Sequence, residues 1–228
     1  MPIAELSDLT VHIDTGRWSE TVLDAVNLAV PEGEITALLG ESGCGKSMVA
    51  AALTGLLPAS ARSTGRVRIE GTIGFVPQSG VTAFIADETV GAQLRELHRL
   101  HWAWSVEDAC AAAWYPNDVL DLYPGHHSTG QIQRAALAAA LIPAPNLLVV
   151  DEPTASLDRG TAYQVWINLR KYADTGAAVL AITHDAPLLI DTGVADRMVF
   201  MRDGRVTVAG PPVEMRTLVD PYVQGFFQ

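Results

Sequence analysis

Two stretches near the start, Ala4 to Ile13 and Thr21 to Val30, carry apolar residues at nearly every second position, the spacing of strands with one face turned inward. Ile35 to Leu39 is a short apolar run closed by Gly40 and reads as a further strand. The period then changes. From Lys46 to Leu57 the apolar positions follow helical spacing and stop at Pro58, while Gly65 to Glu70 and Ile73 to Val76 return to strand spacing. Between Glu88 and Tyr123 the composition becomes helical and locally rich in tryptophan, with Ser105, Glu107 and Asp108 marking a helix start. After Ser128 the pattern predicts a helix to about Ile142, a buried strand from Asn146 to Val150, a helix ending near Gly176 and a strand from Ala178 to Ile182. Met198 to Val208 predicts a terminal hairpin around Asp203-Gly204.

Strands alternating with helices specify an α/β fold with a parallel sheet, and the helical stretch after Gln78 reads as a lobe inserted into it, at about 79–135. No internal repeat or low-complexity linker divides the 228 residues, so residues 1–228 are expected to form one domain. An apolar content of 49% supplies its core.

Charge narrows the partners. With 15 basic and 26 acidic residues the net charge is −11, which repels nucleic acid and anionic headgroups. The longest uncharged apolar stretch, Ala135 to Val150, is broken by Pro143 and Pro145 and ends at Asp151, so it suits a helix and a buried strand better than a membrane span. A membrane role therefore needs a partner. Only Cys44 and Cys110 occur, and Met1 to Asp14 lacks the basic-then-apolar order of a secretory signal, which makes the cytosol the expected compartment.

The segment Gly40-Glu41-Ser42-Gly43-Cys44-Gly45-Lys46-Ser47 lies between a strand and a helix, the context a phosphate-binding loop requires. Gly43 and Gly45 let backbone N–H groups close around phosphate oxygens, Lys46 reaches the terminal phosphates and the Ser47 hydroxyl suits magnesium. The expected binding set runs from Gly40 to Met48. Alone, this loop leaves kinases, GTPases and motors open. Asp151 and Glu152 follow a buried strand at the end where ligands collect in α/β sheets. Asp151 would hold magnesium through its water shell, and Glu152, pointing the other way, would deprotonate an attacking water. His184 follows the next strand and faces the same crevice, as a γ-phosphate sensor would.

In order, the loop from Gly40 to Ser47, Val76-Pro77-Gln78, Ser128-Thr129-Gly130-Gln131, Asp151 to Asp158 and Thr183-His184 resemble the nucleotide-binding subunits of ABC transporters. The resemblance spans about Trp18 to Gly210. It implies a phosphate-loop NTPase core, an N-terminal antiparallel β subdomain and an inserted α-helical subdomain. It also implies ATP and Mg2+ as cofactor and metal, with Lys46, Ser47, Gln78 and Asp151 arranging them and Glu152 positioning water. Trp18 would stack on adenine, Asp158 would act across a dimer interface, and Ser128, Gly130 and Gln131 would bind the partner subunit's ATP. The implied partners are transmembrane permease subunits and a second ATP-binding subunit, with the chain peripheral on the inner face of the cell membrane. A soluble ABC ATPase with an assembly or regulatory role is the alternative.

Two positions depart from the family's pattern. His127 stands where leucine is usual, and Thr129 replaces the first glycine of a pair. A β-branched residue there would be strained, by roughly 1–2 kcal/mol, if the site needs a left-handed backbone. A weakened signature favours a heterodimer over a homodimer, since it serves the opposite subunit's nucleotide. The loop, Tyr123-Pro124 and Asp220-Pro221-Tyr222 most resemble importers of dipeptides, oligopeptides and nickel. His98, His101, His126 and His127 read as solvated helix or loop residues, Cys44 as a small filler, and Trp102, Trp104 and Trp114 as packing of the helical lobe or a contact to a membrane subunit.

Overall fold

The computed structural model describes residues 1–227. Its smaller sheet is antiparallel, with β1 (Pro2–Asp14) between β2 (Ser19–Pro31) and β4 (Ala61–Ile69). The larger contains β3 (Ile35–Gly40), β5 (Ile73–Val76), β6 (Leu147–Asp151), β7 (Ala178–Ile182), β8 (Arg197–Arg202) and β9 (Arg205–Gly210). Its order is β5-β6-β7-β3-β8-β9, parallel except for the β8-β9 hairpin.

Strands β3, β6 and β7 are buried along their whole length because both faces of the sheet are covered. Successive side chains point to opposite faces, and this divides the core in two. Ile35, Ala37, Leu148, Val150 and Val179 pack toward α4 (Thr129–Leu141) and α5 (Arg159–Ala173). Their neighbours Leu38, Leu147, Val149, Leu180 and Ile182 pack toward α1 (Lys46–Thr54) and the antiparallel sheet.

The lobe between the β5 and β6 strands contains α2 (Val90–His101) and α3 (Val106–Ala112). Ser105 caps α3 by accepting a hydrogen bond from Asp108 N–H, which follows the sequence signal. Other boundaries move. Helix α1 ends at Thr54 because Gly55 takes a left-handed conformation, φ 71°, and donates its N–H to Ala51 O. Strand β4 starts at Ala61, before the expected Gly65, because pairing with β1 orders residues that are mostly exposed and have no apolar alternation of their own. The short helices α6 (Ala186–Thr192), α7 (Pro212–Thr217) and α8 (Pro221–Gln224) give too few turns for periodicity to show. Among the described residues no helix is long and apolar enough to cross a membrane.

Parallel pairing places Val76, Asp151 and Ile182 at one edge of the sheet, with Val76 beside Val150 and Asp151 beside Ile182. Strand β3 runs parallel between β7 and β8, so the loop after Gly40 leaves from the same edge.

Candidate active site

The phosphate loop joins the end of β3 to the start of α1, and Gly43 and Gly45 adopt φ values of 83° and 105°, open to glycine at little cost. A Cβ on Gly45 would also lie 2.8 Å from Leu23 Cδ2 and 2.9 Å from Val22 O. The loop therefore lies close against β2. The Lys46 ammonium donates to Gly40 O at 2.7 Å and to Glu41 O at 2.9 Å, so it folds over the loop's own carbonyls. Glu41, Ser42, Gly43 and Ser47 are exposed. Within the expected binding set, Cys44 and Met48 pack their side chains against the core shared with α1, and Cys44 is only 7% exposed.

The Ser47 hydroxyl donates to Asp151 Oδ2 at 3.0 Å, which ties the start of α1 to the end of β6. Asp151 is 5% exposed, and burial pushes its carboxyl above the ordinary range. The Ser47 hydrogen bond pulls it back down, the neighbouring Glu152 charge raises it, and Lys46 lowers it. A buried carboxylate short of positive charge, beside a hydroxyl oxygen, fits a hard divalent cation.

Glu152 turns the opposite way. Its backbone is left-handed, φ 53°, a conformation that costs a non-glycine residue about 1–3 kcal/mol where the surroundings hold it. Its N–H donates to Ile182 O at 2.9 Å. Its side chain, 11% exposed, places Oε1 2.9 Å from Nδ1 of the well-exposed His184. The carboxylate accepts, so Nδ1 carries the hydrogen and Nε2 remains available.

Gln78 is exposed in the loop after β5, and that loop is gripped by a residue the sequence did not single out. Gln133, 4% exposed on α4, accepts from Gly80 N–H at 2.8 Å and donates from Nε2 to Pro77 O at 2.9 Å. A glutamine at a core position of an alanine-rich helix was the available signal.

Ser128 is the N-cap of α4 in a reciprocal capping box. Its Oγ accepts from Gln131 N–H at 3.2 Å, and its own N–H donates to Gln131 Oε1 at 2.9 Å. Thr129 is the first helical residue, exposed and without positive φ, so the strain expected of a left-handed backbone does not arise. Gly130 is buried, and a Cβ there would meet Leu157 Cδ2 at 2.7 Å and Ser156 O at 3.0 Å. Asp158 caps α5, its two carboxylate oxygens accepting from Thr161 N–H and the Thr161 hydroxyl. Trp18 stands between β1 and β2, 46% exposed, its N–H bonded to Thr15 Oγ1.

His127 and His98, outside the crevice, have protein hydrogen-bond partners. His127 donates from Nδ1 to Tyr123 O at 3.0 Å, and its Nε2 accepts from the Tyr115 hydroxyl at 2.7 Å with the rings stacked. His98 donates from Nδ1 to Trp104 O. Among the described residues no group of three or more His, Cys, Asp or Glu side chains could hold a metal.

A phosphate loop, two diverging carboxylates and a histidine at one sheet edge form the kind of site that accommodates a nucleoside triphosphate. A family model described as "ABC transporter" matches residues 23–155. The oligopeptide transport ATP-binding protein OppD of Mycobacterium tuberculosis is 34% identical over 235 residues, 90% of this chain and 38% of that protein. This chain thus spans well under half the length of that relative. The metal-staphylopine import system ATP-binding protein CntD of Staphylococcus aureus is 31% identical, covering 92% of this chain and 86% of that one. The dimeric ATP-binding cassette MJ0796 bound to ADP and Pi superposes with a TM-score of 0.79 at 26% identity, covering 92% of this chain and 98% of that one. The chain belongs to the ABC transporter family.

Proposed function

We propose that this chain is the ATP-hydrolysing motor subunit of an ABC importer for small peptides, nickel or metal chelates. The observation that carries the hydrolytic reading is the arrangement of Lys46, Ser47, Asp151, Glu152 and His184 at one sheet edge, with Ser47 hydrogen-bonded to Asp151 and His184 to Glu152. The triphosphate lies along the phosphate loop, where the α1 N-terminus offers N–H groups and Lys46 exchanges the Gly40 and Glu41 carbonyls for phosphate oxygens. Ser47, Asp151 and Gln78 would hold Mg2+, which when bound neutralises phosphate charge. Glu152 accepts a proton from the attacking water as the water oxygen bonds to the γ-phosphorus. The bond from that phosphorus to the bridging oxygen breaks, and ADP and phosphate leave. His184 orients the Glu152 carboxylate from Nδ1 and presents Nε2 to the γ-phosphate.

Two cassettes face head to tail, with Ser128, Gly130 and Gln131 of each closing on the other's ATP and Asp158 at the contact. The dimeric assembly of MJ0796 supports this arrangement. A shallow, mostly apolar cavity of about 410 Å3 beside the Gln78 loop, lined in part by Leu56, Phe75, Pro77 and Thr82, suits membrane permease subunits at the inner face of the cell membrane. The names of OppD and CntD support peptide or metal-chelate cargo. The test is Mg-dependent ATP hydrolysis by the chain, alone and with its two permeases. A folded chain that neither binds nor hydrolyses ATP refutes the reading; a stable assembly that excludes membrane subunits refutes the importer.

A further inference from the structure

The Asp220-Pro221-Tyr222 motif lies far along the chain from the phosphate loop, yet its tyrosine reaches that loop. Asp220 caps α8, its Oδ1 accepting from Tyr222 N–H at 2.8 Å and from Val223 N–H at 3.3 Å, and Pro221 starts the helix at a position that needs no N–H partner. The Tyr222 ring packs edge-on against Phe226, and the Arg202 guanidinium lies over it, 5.2 Å from the centroid. So held, the phenol oxygen donates to Met201 O at 2.5 Å and accepts from Glu41 N–H at 3.2 Å.

That N–H belongs to the peptide unit whose carbonyl is Gly40 O, and Gly40 O accepts from Lys46 Nζ at 2.7 Å. One peptide plane is therefore clamped from both sides, by Tyr222 on its N–H and by Lys46 on its C=O. The space around it is tight: a Cβ on Gly40 would lie 2.5 Å from both Cys44 Sγ and Met201 O. A rotation of this peptide would move the first residue of the phosphate loop and the resting place of the Lys46 ammonium together. Polarised hydrogen bonds in series reinforce one another, which strengthens the hold.

We infer that Tyr222 is a positioning residue for nucleotide binding, its hydroxyl anchoring the Gly40–Glu41 peptide so that the phosphate loop and Lys46 are set for the triphosphate. The inference rests on the ATPase reading above. Tyr222 has no contact with Glu152 or His184 among the hydrogen bonds of the site, so it acts on binding and leaves the water-activation step alone.

The experiment compares the full-length chain with Tyr222→Phe, which keeps the ring and removes only the hydroxyl. KM for ATP is expected to rise about 3- to 10-fold, the effect of one hydrogen bond, while kcat stays within about twofold. The affinity for a non-hydrolysable ATP analogue should weaken by the same factor. A merely structural role would lower thermal stability and the active fraction, hence kcat, with KM unmoved, and that result overturns the inference. Should Tyr222→Phe not fold, Asp220→Ala decides: it loosens the α8 cap while keeping the phenol, so KM should rise by a smaller factor, and an unchanged KM overturns the inference. If the unaltered chain fails to bind or hydrolyse ATP, the ATPase reading itself falls; if it does both and the variants keep its KM, only the role of Tyr222 falls.

Discussion

His184 Nδ1 lies 2.9 Å from Glu152 Oε1, joining residues 32 positions apart at the ends of adjacent strands β6 and β7. The pairing gives the mostly buried Glu152 carboxylate a fixed direction, and it leaves the exposed side of the histidine turned to solvent. The proposed base is thus oriented by a residue from the end of the adjacent strand.

Glu152→Gln should retain ATP binding and lower turnover by about 10²–10⁴, the usual contribution of a general base. His184→Ala should lower kcat by about 10–100-fold, the loss of one hydrogen bond to a charged group, with a small change in KM. Steady-state hydrolysis together with equilibrium binding of ATP separates the two. Near-normal hydrolysis by Glu152→Gln would refute its assignment as the base.

Asp151 links pH to stability. Burial holds its carboxyl above the ordinary range, so between that range and the raised value the folded chain holds more protons than the unfolded one. Stability contributed by the protonated form is lost as pH rises through this window and stays lost above it. Asp151→Asn, which has no charge to bury, should therefore melt higher than the unaltered chain at pH 7 without nucleotide, and the gap should close as pH falls toward the ordinary carboxylate range. The same variant should lose Mg-dependent ATP binding. Thermal melts across pH check the first outcome, and a gap independent of pH would rule out burial as its cause.

The departure at His127 has a structural partner. Its Nε2 accepts from the nearly buried Tyr115 hydroxyl, whose other acceptor, Val119 O, lies at 3.5 Å. His127→Leu should destabilise the chain by about 1–3 kcal/mol by stranding that hydroxyl. Adding Tyr115→Phe should recover much of the loss. Urea unfolding of both single variants and the double variant gives the coupling, and strictly additive effects would show that the pair is not the reason for the histidine.

Thr129 is exposed at the entrance of α4, where the proposed partner's phosphates would approach. With backbone strain absent, crowding of that approach is what remains of the weakened-signature hypothesis. Thr129→Gly should raise ATP turnover in the assembled transporter while leaving the thermal stability of the isolated chain nearly unchanged or slightly lower, since glycine disfavours a helix. Equal turnover would remove the case for unequal sites and a heterodimer.

Gly40 to Ser47, Asp151-Glu152 and His184 were legible along the chain because each follows an apolar run whose length and composition already demand a strand. The cap at Ser105 was legible for the same local reason: a serine acts on the N–H three residues on. The contacts of Gln133 and Tyr222 were not. Gln133 sits on a helix whose pattern says only that the position is buried, and Tyr222 lies on a helix too short to show a period. The inward direction of the Cys44 and Met48 side chains was not legible either, because consecutive loop residues can face opposite ways and only the packing of α1 against the antiparallel sheet chose it.

By itself the amino-acid order determined the longer elements, the parallel sheet and the residue types of the proposed triphosphate site, because propensity, periodicity and capping act over a few neighbours. The tertiary structure decided which side chains meet: Ser47 with Asp151, Glu152 with His184, Gln133 with the Gln78 loop, and Tyr222 with Glu41. Each of these contacts spans tens of residues or more, so it exists only after the strands have paired and the helices have packed over them, a condition that no local window of the chain contains.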